Sequence, residues 1–243
     1  MRLAVLTDIH GNAEALTAVL ADIAARGCDG MAVLGDIVGY GPDPAWCVDR
    51  VRSLGCVTLQ GNHDAAIRGS GDDMSTNARL AIDWTRGQLS ADQADWLAGL
   101  PLTAEMEGLA LVHASWQAPA DWIYVTGEAT AAGSFRASRA RLTLCGHVHV
   151  PQLYSQDLRG MVAGMRVSIG QAMPLLLTRR WLAVVGSVGQ PRDRSPLAAW
   201  ALVDTTAQEI TFRRTPYDCG ATALKVRAAG LPEALALRLL GGD

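Results

Sequence analysis

The feature that most constrains the fold is the alternation of short apolar runs with helix-like segments over the first two thirds of the chain. The apolar runs predict strands at residues 2–7, 31–34, 56–60, 109–112 and 142–145. Apolar residues at helical spacing, several with turn or capping residues before them, predict helices at residues 12–26, 44–54, 78–85, 92–97 and 128–137. An alternation of this kind is typical of crossover units and predicts a largely parallel sheet.

The remainder of the chain, after Pro151, changes to short β-like runs at residues 166–169, 182–185, 199–203 and 209–213. We interpret these runs as a second sheet that packs on the first, because no charged or low-complexity linker separates the two halves. The tail over residues 221–240 is predicted as helix with an interruption near Pro232. We therefore expect a single domain that spans residues 1–243.

Each of the five predicted strands in the first part ends in residues that suit metal ions. The five ends read VLTDIHGN, AVLGDIVGYG, VTLQGNHDA, LALVHAS and LTLCGHVH, and the five histidines of the chain all lie within four of them. In a sheet with helical crossovers, the carboxyl ends of the strands form the crevice where ligands bind. Five separate stretches of sequence are therefore expected to converge on one rim.

Each of these stretches, taken alone, has an ordinary structural interpretation. Asp8 could cap a helix, Gly35-Asp36 could be a turn, and a single histidine at a strand end, such as His113, is more often hydrogen-bonded in a core. Together the stretches supply imidazole, carboxylate and amide oxygen, a donor set that suits transition metals. Asp8, Asp36, Asn62 and four of the histidines exceed the four ligands of a tetrahedral zinc site, so the pattern favours two metals that share a carboxylate.

The ordered set DIH, GD, GNHD, VHAS and GHVH resembles the calcineurin-like metallophosphoesterase superfamily. The longer runs LTDIHGNAEAL, LGDIVGYGPDP and GSVGQPRD are similar to its small bacterial branch, of the phosphodiesterase or diadenosine-tetraphosphatase type. The resemblance covers residues 3 to about 193. It implies an α/β fold, a four-layer α-β-β-α sandwich of two mixed sheets flanked by helices.

The resemblance also implies two divalent or trivalent transition-metal ions as cofactors, with Mn, Fe, Zn or Ni suited to the ligands. One metal would be held by Asp8, His10, Asp36 and His149, and the other by Asp36, Asn62, His113 and His147. Asp36 would therefore bridge the metals. His147 and His149 point to the same side of an extended segment, so each would serve one of two adjacent metals.

The resemblance assigns catalysis to Asp36 and His63. As the bridging ligand, Asp36 would help to hold both metals, whereas His63 would stand over the substrate and protonate the leaving oxygen or stabilise charge on the phosphoryl group. Asp64 could orient His63, or it could cap the following helix. Protein-phosphatase members carry an acidic residue where this chain has Gly39, which disfavours a protein substrate.

Residues around the expected site have two possible roles each. The aromatic residues could form a stacking platform for a nucleobase or belong to the core, and they are Tyr40, Trp116, Trp122 and Tyr124. Arg192 could reach a phosphate oxygen from the turn at residues 186–194, or it could be an exposed surface arginine.

The resulting prediction is a metal-dependent hydrolase of phosphate esters. The interpretation that we favour is a phosphodiesterase, in which a metal-bridging hydroxide attacks a small nucleotide-like or organic phosphodiester. The alternatives are a phosphomonoesterase, a dinucleoside polyphosphate hydrolase, and a noncatalytic protein-binding scaffold on the same fold. The five histidines favour chemistry over a scaffold.

Composition restricts the partners. A formal net charge of −3 gives no sign of the positive field that accompanies nonspecific binding to nucleic acid or to a membrane surface. No run of about 18 apolar residues predicts a membrane span. Five cysteines without a C-x-x-C spacing are typical of a reduced, cytoplasmic protein. We expect a small-molecule phosphate ester as substrate, and a homo-oligomer remains possible because the β-like runs of the second half could pair across a dimer.

Overall fold

The computed structural model describes residues 1–71 and 74–242 of the chain. Within these residues it contains twelve β-strands and eight α-helices. The strands are β1 (Arg2–Leu6), β2 (Gly30–Val33), β3 (Val57–Thr58), β4 (Thr103–Met106), β5 (Leu109–Val112), β6 (Leu142–Cys145), β7 (Gln152–Gln156), β8 (Val162–Met165), β9 (Ala172–Pro174), β10 (Arg180–Val184), β11 (Ala198–Asp204) and β12 (Glu209–Thr215). The helices are α1 (Ala13–Arg26), α2 (Pro44–Ser53), α3 (Asn62–Ala66), α4 (Thr76–Arg86), α5 (Ala91–Ala98), α6 (Glu128–Ala137), α7 (Cys219–Ala228) and α8 (Glu233–Gly241).

The strands form two mixed sheets of six strands each, which confirms the expected fold class. The first sheet has the order β3-β2-β1-β11-β12-β9, in which β1, β2 and β3 are parallel and β11 runs antiparallel to β1. The second has the order β4-β5-β6-β10-β7-β8, in which β5, β6 and β10 are parallel. Parallel strands therefore form one half of the first sheet and the middle of the second, and their carboxyl ends can form a site.

The alternation of side chains along the strands separates the layers. Leu3 and Val5 of β1 pack in the core between the sheets, together with residues of β5 and β6. Ala4 and Leu6, on the opposite face of β1, pack against α1. The outer face of the second sheet, with Leu182 for example, packs against α6. Strands β1, β5, β6 and β10 are thus buried on both faces, which explains why they are nearly continuous apolar runs rather than alternating ones.

The prediction that the second half of the chain forms a sheet of its own was wrong. β10 lies beside β6, and β11 lies beside β1, so each sheet combines strands from both halves. Buried strands show no periodicity that could reveal their neighbours, so the sequence pattern did not distinguish the two arrangements. Because both halves contribute to both sheets, we propose that the chain forms one domain, although residues 72, 73 and 243 lie outside the described part.

Most of the predicted elements are present, with three differences. Residues 166–169 are not a strand: β8 ends at Met165, and Ile169 makes a single bridge to Phe212. The strand predicted at residues 56–60 is reduced to Val57–Thr58, and the N–H of Gln60 donates to the carbonyl of Pro101 instead of a neighbouring strand. Strands β4, β7, β8 and β9 and the short helix α3 were not predicted.

The capping residues explain where the helices next to the site begin. The Asn12 side chain accepts from the N–H of Ala15 and starts α1 directly after the loop that follows β1. Asp43 precedes α2, but its carboxylate accepts a hydrogen bond from Lys225 at 2.9 Å and does not cap the helix. Pro44 then supplies the fixed φ at the first helical position. Of the described helices, none is both long and apolar enough to cross a membrane.

Candidate metal centre

The loops that follow the parallel strands of both sheets meet at one place. The N–H of His10 donates to the carbonyl of Asp36 at 2.9 Å and joins the loops after β1 and β2. The Asp8 carboxylate accepts from the N–H of His147 at 3.0 Å and joins the loop after β1 to the loop after β6, across the two sheets. The rim expected from one sheet is therefore made by the strand ends of two sheets.

The structure brings all seven predicted ligands together. Six of them have exposed fractions of at most 4%, and these are Asp8, His10, Asp36, His113, His147 and His149. Asn62 is half-buried, and its Oδ1 lies 3.3 Å from the Nε2 of His113. The ligand atoms form two groups, each with its atoms within 4.8 Å of one another: Asp8, His10, Asp36 and His149 in the first, and Asp36, His113 and His147 in the second. Asp36 belongs to both groups.

Five of these residues have a left-handed backbone, which non-glycine residues rarely adopt. Their φ angles lie between 51° and 67°, and the residues are Asp8, His10, Asp36, His147 and His149. Each such residue costs on the order of 1 kcal/mol relative to the right-handed region. Strain of this kind is found where the surrounding structure aims side chains at a functional site.

His10 and His149 face each other with their Nε2 atoms 3.0 Å apart. The Nδ1 atoms of both rings are bonded to backbone carbonyls, of Val38 at 3.1 Å and of Gln190 at 2.6 Å. A carbonyl only accepts, so each Nδ1 carries a proton, and each Nε2 of a neutral ring presents a lone pair. Burial lowers the pKa of His10 well below its usual range, which keeps its ring neutral. The Nε2 atoms of His10 and His149 are therefore placed to bind the same cation.

His113 is surrounded by acceptors in the same way. Its Nδ1 donates to the carbonyl of Leu34 at 2.8 Å. Its Nε2 lies 3.3 Å from Asn62 Oδ1, 3.2 Å from His147 Nδ1 and 3.4 Å from Asp36 Oδ2. Burial opposes a charge on the ring, yet Asp36 raises the pKa of His113 to about 9. This group of acceptors therefore attracts positive charge strongly.

The two carboxylates supply the negative charge of the centre. Burial alone would raise their pKa values, but the neighbouring imidazoles hold the pKa of Asp8 and of Asp36 well below the usual range. Asp36 Oδ2 lies 3.7 Å from His10 Nε2 and 3.4 Å from His113 Nε2, so one oxygen faces both groups. The donor set of imidazole nitrogens with carboxylate and amide oxygens fits transition-metal ions.

His63 lies beside both groups and is a member of neither. Its ring is packed between Tyr40 and His10, with centroid distances of 4.4 Å and 4.8 Å. Its Nδ1 is buried and has no hydrogen-bond partner among the described residues. Burial, against the opposing charge of Asp36, lowers the pKa of His63 to about 4. The ring is thus placed to meet a substrate next to the centre.

Asp64 was expected either to orient His63 or to cap the following helix, but it lies inside α3, and its described partners are backbone N–H groups at the start of that helix and in the loop after β2. Its carboxylate accepts from the N–H groups of Ile37 at 2.9 Å, Val38 at 3.2 Å and Gly61 at 3.0 Å. It therefore ties the loop after β2 to the start of α3. Burial raises the pKa of Asp64 to about 7.

A cavity of about 830 Å³ opens next to the centre. His63, Asn62 and His147 line it on the side of the metal-ligand groups. The expected aromatic residues that also line it are Tyr40, Trp122 and Tyr124, and the ring of Tyr124 stacks on His147 at 3.9 Å. Trp116 packs against the apolar cluster between the second sheet and α6 and does not line this cavity.

Arg192 also lines the cavity, as the sequence analysis allowed. Its backbone N–H donates to the carbonyl of His149 at 3.2 Å, which fixes it beside the centre. Its guanidinium donates to the Tyr40 hydroxyl at 3.3 Å and to Gln190 Oε1 at 3.0 Å. The Nε is buried and has no partner among the described residues. Both described side-chain hydrogen bonds come from one terminal nitrogen, so the guanidinium keeps further N–H groups for a ligand in the cavity.

Three residues at the site were missed from the sequence. The backbone of Gln190 orients His149, the hydroxyl of Thr7 donates to Asp8 Oδ2 at 2.8 Å, and Arg238 lines the cavity from α8. Thr7 lies next to a predicted ligand, which is a signal that could have found it. Arg238 lies about 90 residues beyond the last predicted ligand, His149, and no local pattern linked it to the site.

Comparison with known proteins places this geometry in a family. Residues 1–151 match the family model for calcineurin-like phosphoesterases. The chain is similar to the crystal structure of a metallophosphoesterase from Sphaerobacter thermophilus, with a TM-score of 0.89, 37% sequence identity and all of both chains covered. It is also 33% identical over 246 residues to the uncharacterized protein MJ0912 of Methanocaldococcus jannaschii, covering 99% of this chain and 98% of the relative.

A second solved structure supports the fold alone. The hypothetical protein PH1004 from Pyrococcus horikoshii OT3 has a TM-score of 0.80 and 21% identity, with 100% of this chain and 98% of that chain covered. The similarity therefore extends over the whole chain, including the strands that follow residue 151.

Proposed function

Because this chain belongs to the calcineurin-like phosphoesterase family, whose members hydrolyse phosphate esters, we propose that it is a phosphodiesterase that acts on a small organic or nucleotide-like diester. The observation that carries this choice is the cavity of about 830 Å³ that adjoins the metal-ligand groups. A diester has an organic group on each side of the phosphorus, and a cavity of this size is within the range that encloses small organic ligands.

We assign the metal ligands as two sets that share Asp36. One set is Asp8, His10, Asp36 and His149, and the other is Asp36, Asn62, His113 and His147. The facing lone pairs of His10 and His149, and the acceptors around His113, support a cation at each position. Two metal ions there would lower the pKa of a bound water and neutralise charge on the phosphoryl oxygens.

Besides the metal ligands, two side chains of this protein would act on the substrate. His63 lies against Tyr40 and faces the cavity, where its imidazole can hydrogen-bond to the leaving oxygen and transfer a proton to it. Arg192, fixed by its contacts with Tyr40 and Gln190, lines the cavity and would bind a phosphoryl oxygen through its guanidinium. Orientation of the phosphate by these groups reduces the entropic cost of reaching the transition state.

The test is a comparison of bis(p-nitrophenyl) phosphate with p-nitrophenyl phosphate, on protein stripped of metal and then supplied with Mn²⁺, and in parallel with Zn²⁺, Fe²⁺ or Ni²⁺. We expect metal-dependent turnover with a higher kcat/KM for the diester. A higher kcat/KM for the monoester would contradict the assignment and favour a phosphomonoesterase.

A negative result in this assay is also informative. Protein that binds two metals but hydrolyses neither ester would contradict the proposed activity, and would favour a polyphosphate specialist or a scaffold. The matched control is Asp36→Asn, which keeps the size of the side chain and removes its charge, so turnover that is lost in this variant belongs to the protein and not to a contaminant.

A further inference from the structure

The cavity extends beyond the metal-ligand groups, and a second arginine, Arg238, also lines it. Arg238 lies on α8, and the buried face of this helix, with Leu235 and Leu239, packs in one apolar cluster with Tyr40 and Ala78. Ala78 belongs to α4 and itself lines the cavity. Arg238 is therefore on the wall that α4 and α8 build, whereas the segment with Trp122 and Tyr124 forms another part of the lining.

The surroundings of Arg238 do not explain its presence there. The residue is half-buried, between Leu237, which is exposed, and Leu239, which faces the core. Among the residues that the structure describes, its guanidinium has no hydrogen-bond, ion-pair or ring partner. Arginine forms its strongest contacts as bidentate hydrogen bonds with carboxylates and phosphates. Without an anion in the cavity, Arg238 makes no such contact.

The two arginines of the cavity have different neighbours. Arg192 is held next to the centre by the His149 carbonyl and by Tyr40, so it can serve the phosphate that is cleaved. Arg238 shares neither contact and reaches the cavity from the last helix of the chain. The lining thus offers two separate cationic positions. Asp121, on the wall with Trp122, is the acidic residue among the described lining residues.

We propose that Arg238 forms a second anion subsite, so that the substrate carries another phosphate or similar anionic group away from the ester that is cleaved. This inference rests on the proposed function, because it places the scissile phosphate at the metal centre. Trp122 and Tyr124 line the same cavity and bring aromatic rings to it. The class that combines a ring with two separated phosphates is a nucleotide phosphorylated at two positions.

The kinetic test compares two substrates that differ only in the distant charge. These are thymidine 5′-(p-nitrophenyl phosphate) and the same diester with a 3′-phosphate, both hydrolysed by the Mn²⁺-loaded protein. We expect kcat/KM to be about tenfold higher for the 3′-phosphorylated diester, since a charge-assisted hydrogen bond has roughly that effect. In Arg238→Gln the kcat/KM values of the two diesters should lie within about twofold of each other. Arg238→Lys should keep part of the preference for the 3′-phosphorylated diester.

The control variant is Arg136→Gln on α6, an exposed arginine outside the cavity lining. Arg136→Gln should leave the preference for the 3′-phosphorylated diester unchanged. This result would show that the loss in Arg238→Gln is not a general effect of removing one positive charge from the protein. A wild-type protein with no preference, or a preference that survives in Arg238→Gln, would overturn the proposal.

A binding measurement separates this inference from the proposed activity. Calorimetry on the Mn²⁺-loaded protein would compare thymidine 3′,5′-bisphosphate with thymidine 5′-monophosphate. If neither diester is hydrolysed, the proposed activity fails, but tighter binding of the bisphosphate that disappears in Arg238→Gln would still support the subsite. Equal affinities for both nucleotides in the wild-type protein would overturn it, whatever the turnover.

Discussion

The Nε2 atoms of His10 and His149 lie 3.0 Å apart although 139 residues separate them in the chain. Neither ring is held by the other. Each is aimed by a hydrogen bond from its Nδ1 to a backbone carbonyl, of Val38 in one case and of Gln190 in the other. The fold itself therefore presents the lone pairs, and a metal would find its ligands already oriented.

Asp36→Asn tests the carboxylate that is shared by the two ligand groups. The amide keeps the shape of the side chain but removes the negative charge that faces both His10 and His113. We expect loss of metal from both positions and a fall in diester turnover of at least about a thousandfold. Metal content by plasma emission spectroscopy checks this. Retention of two metals per chain would contradict the shared role.

His63→Gln tests the division between metal binding and proton transfer. His63 belongs to neither ligand group, so both metals should remain, whereas turnover should fall by about 10²–10⁴-fold, the usual contribution of a general acid. The same metal analysis and the diester assay give the two readouts. If His63→Gln lost as much metal as Asp36→Asn, the proposed roles of the two residues could not both be right.

Gly39→Ala tests how the His63 ring is held in place. Gly39 has a φ of +86°, and a Cβ at this position would overlap the His63 ring. We expect turnover to fall at least about tenfold while the metals stay bound, together with a loss of about 1–2 kcal/mol in the free energy of unfolding.

The control for this variant is Gly27→Ala, which has a φ of +65° and open space around a new Cβ. It should show a similar loss of stability from backbone strain but normal turnover. Turnover in Gly39→Ala equal to that of Gly27→Ala would show that the contact with His63 is unimportant.

The contact between α1 and α7 should make stability depend on pH. Burial alone would raise the pKa of Glu14, but hydrogen bonds from Lys225 and Thr222 lower it below its ordinary value of 4.5. The stabilisation is therefore fully present above about pH 4.5 and is lost as the pH falls through the lower pKa of the folded state.

Glu14→Gln should lower the free energy of unfolding by roughly 0.5–1 kcal/mol at pH 7, a modest effect because Lys225 is partly exposed. The difference from the wild-type protein should shrink as the pH falls below 4.5, measured by urea unfolding. The control is Glu105→Gln, an exposed residue of β4. A difference that stays constant down to pH 3 would contradict the role of the charge.

The candidate site could be predicted largely from the sequence because its residues lie directly after strands. Asp8, Asp36 and His113 each follow an apolar run, and the ends of parallel strands meet by geometry. The strand pairing could not be predicted in this way. Leu182 of β10 and Ala201 of β11 are equally buried, yet they belong to different sheets. A fully buried strand carries no periodic signal that selects its neighbour.

The part of the cavity wall that α8 contributes could not be predicted either, for a different reason. Arg238 reaches the cavity because α8 packs against α4 and Tyr40, a contact between distant segments that depends on the whole fold. The position of Asp64 could be predicted from the sequence, but its role could not. Its place next to His63 allowed two roles, and only its three backbone partners distinguish them.

The way in which each sheet combines both halves of the chain has a consequence for synthesis on the ribosome. Every proposed metal ligand has been made once residue 149 is added, but β1 and β6 then still lack β11 and β10 as neighbours. An emerging chain of that length exposes the edges of two apolar strands, which are prone to pair with other chains. The centre should therefore form late, after about residue 204 has left the exit tunnel, and metal should be loaded onto the finished protein.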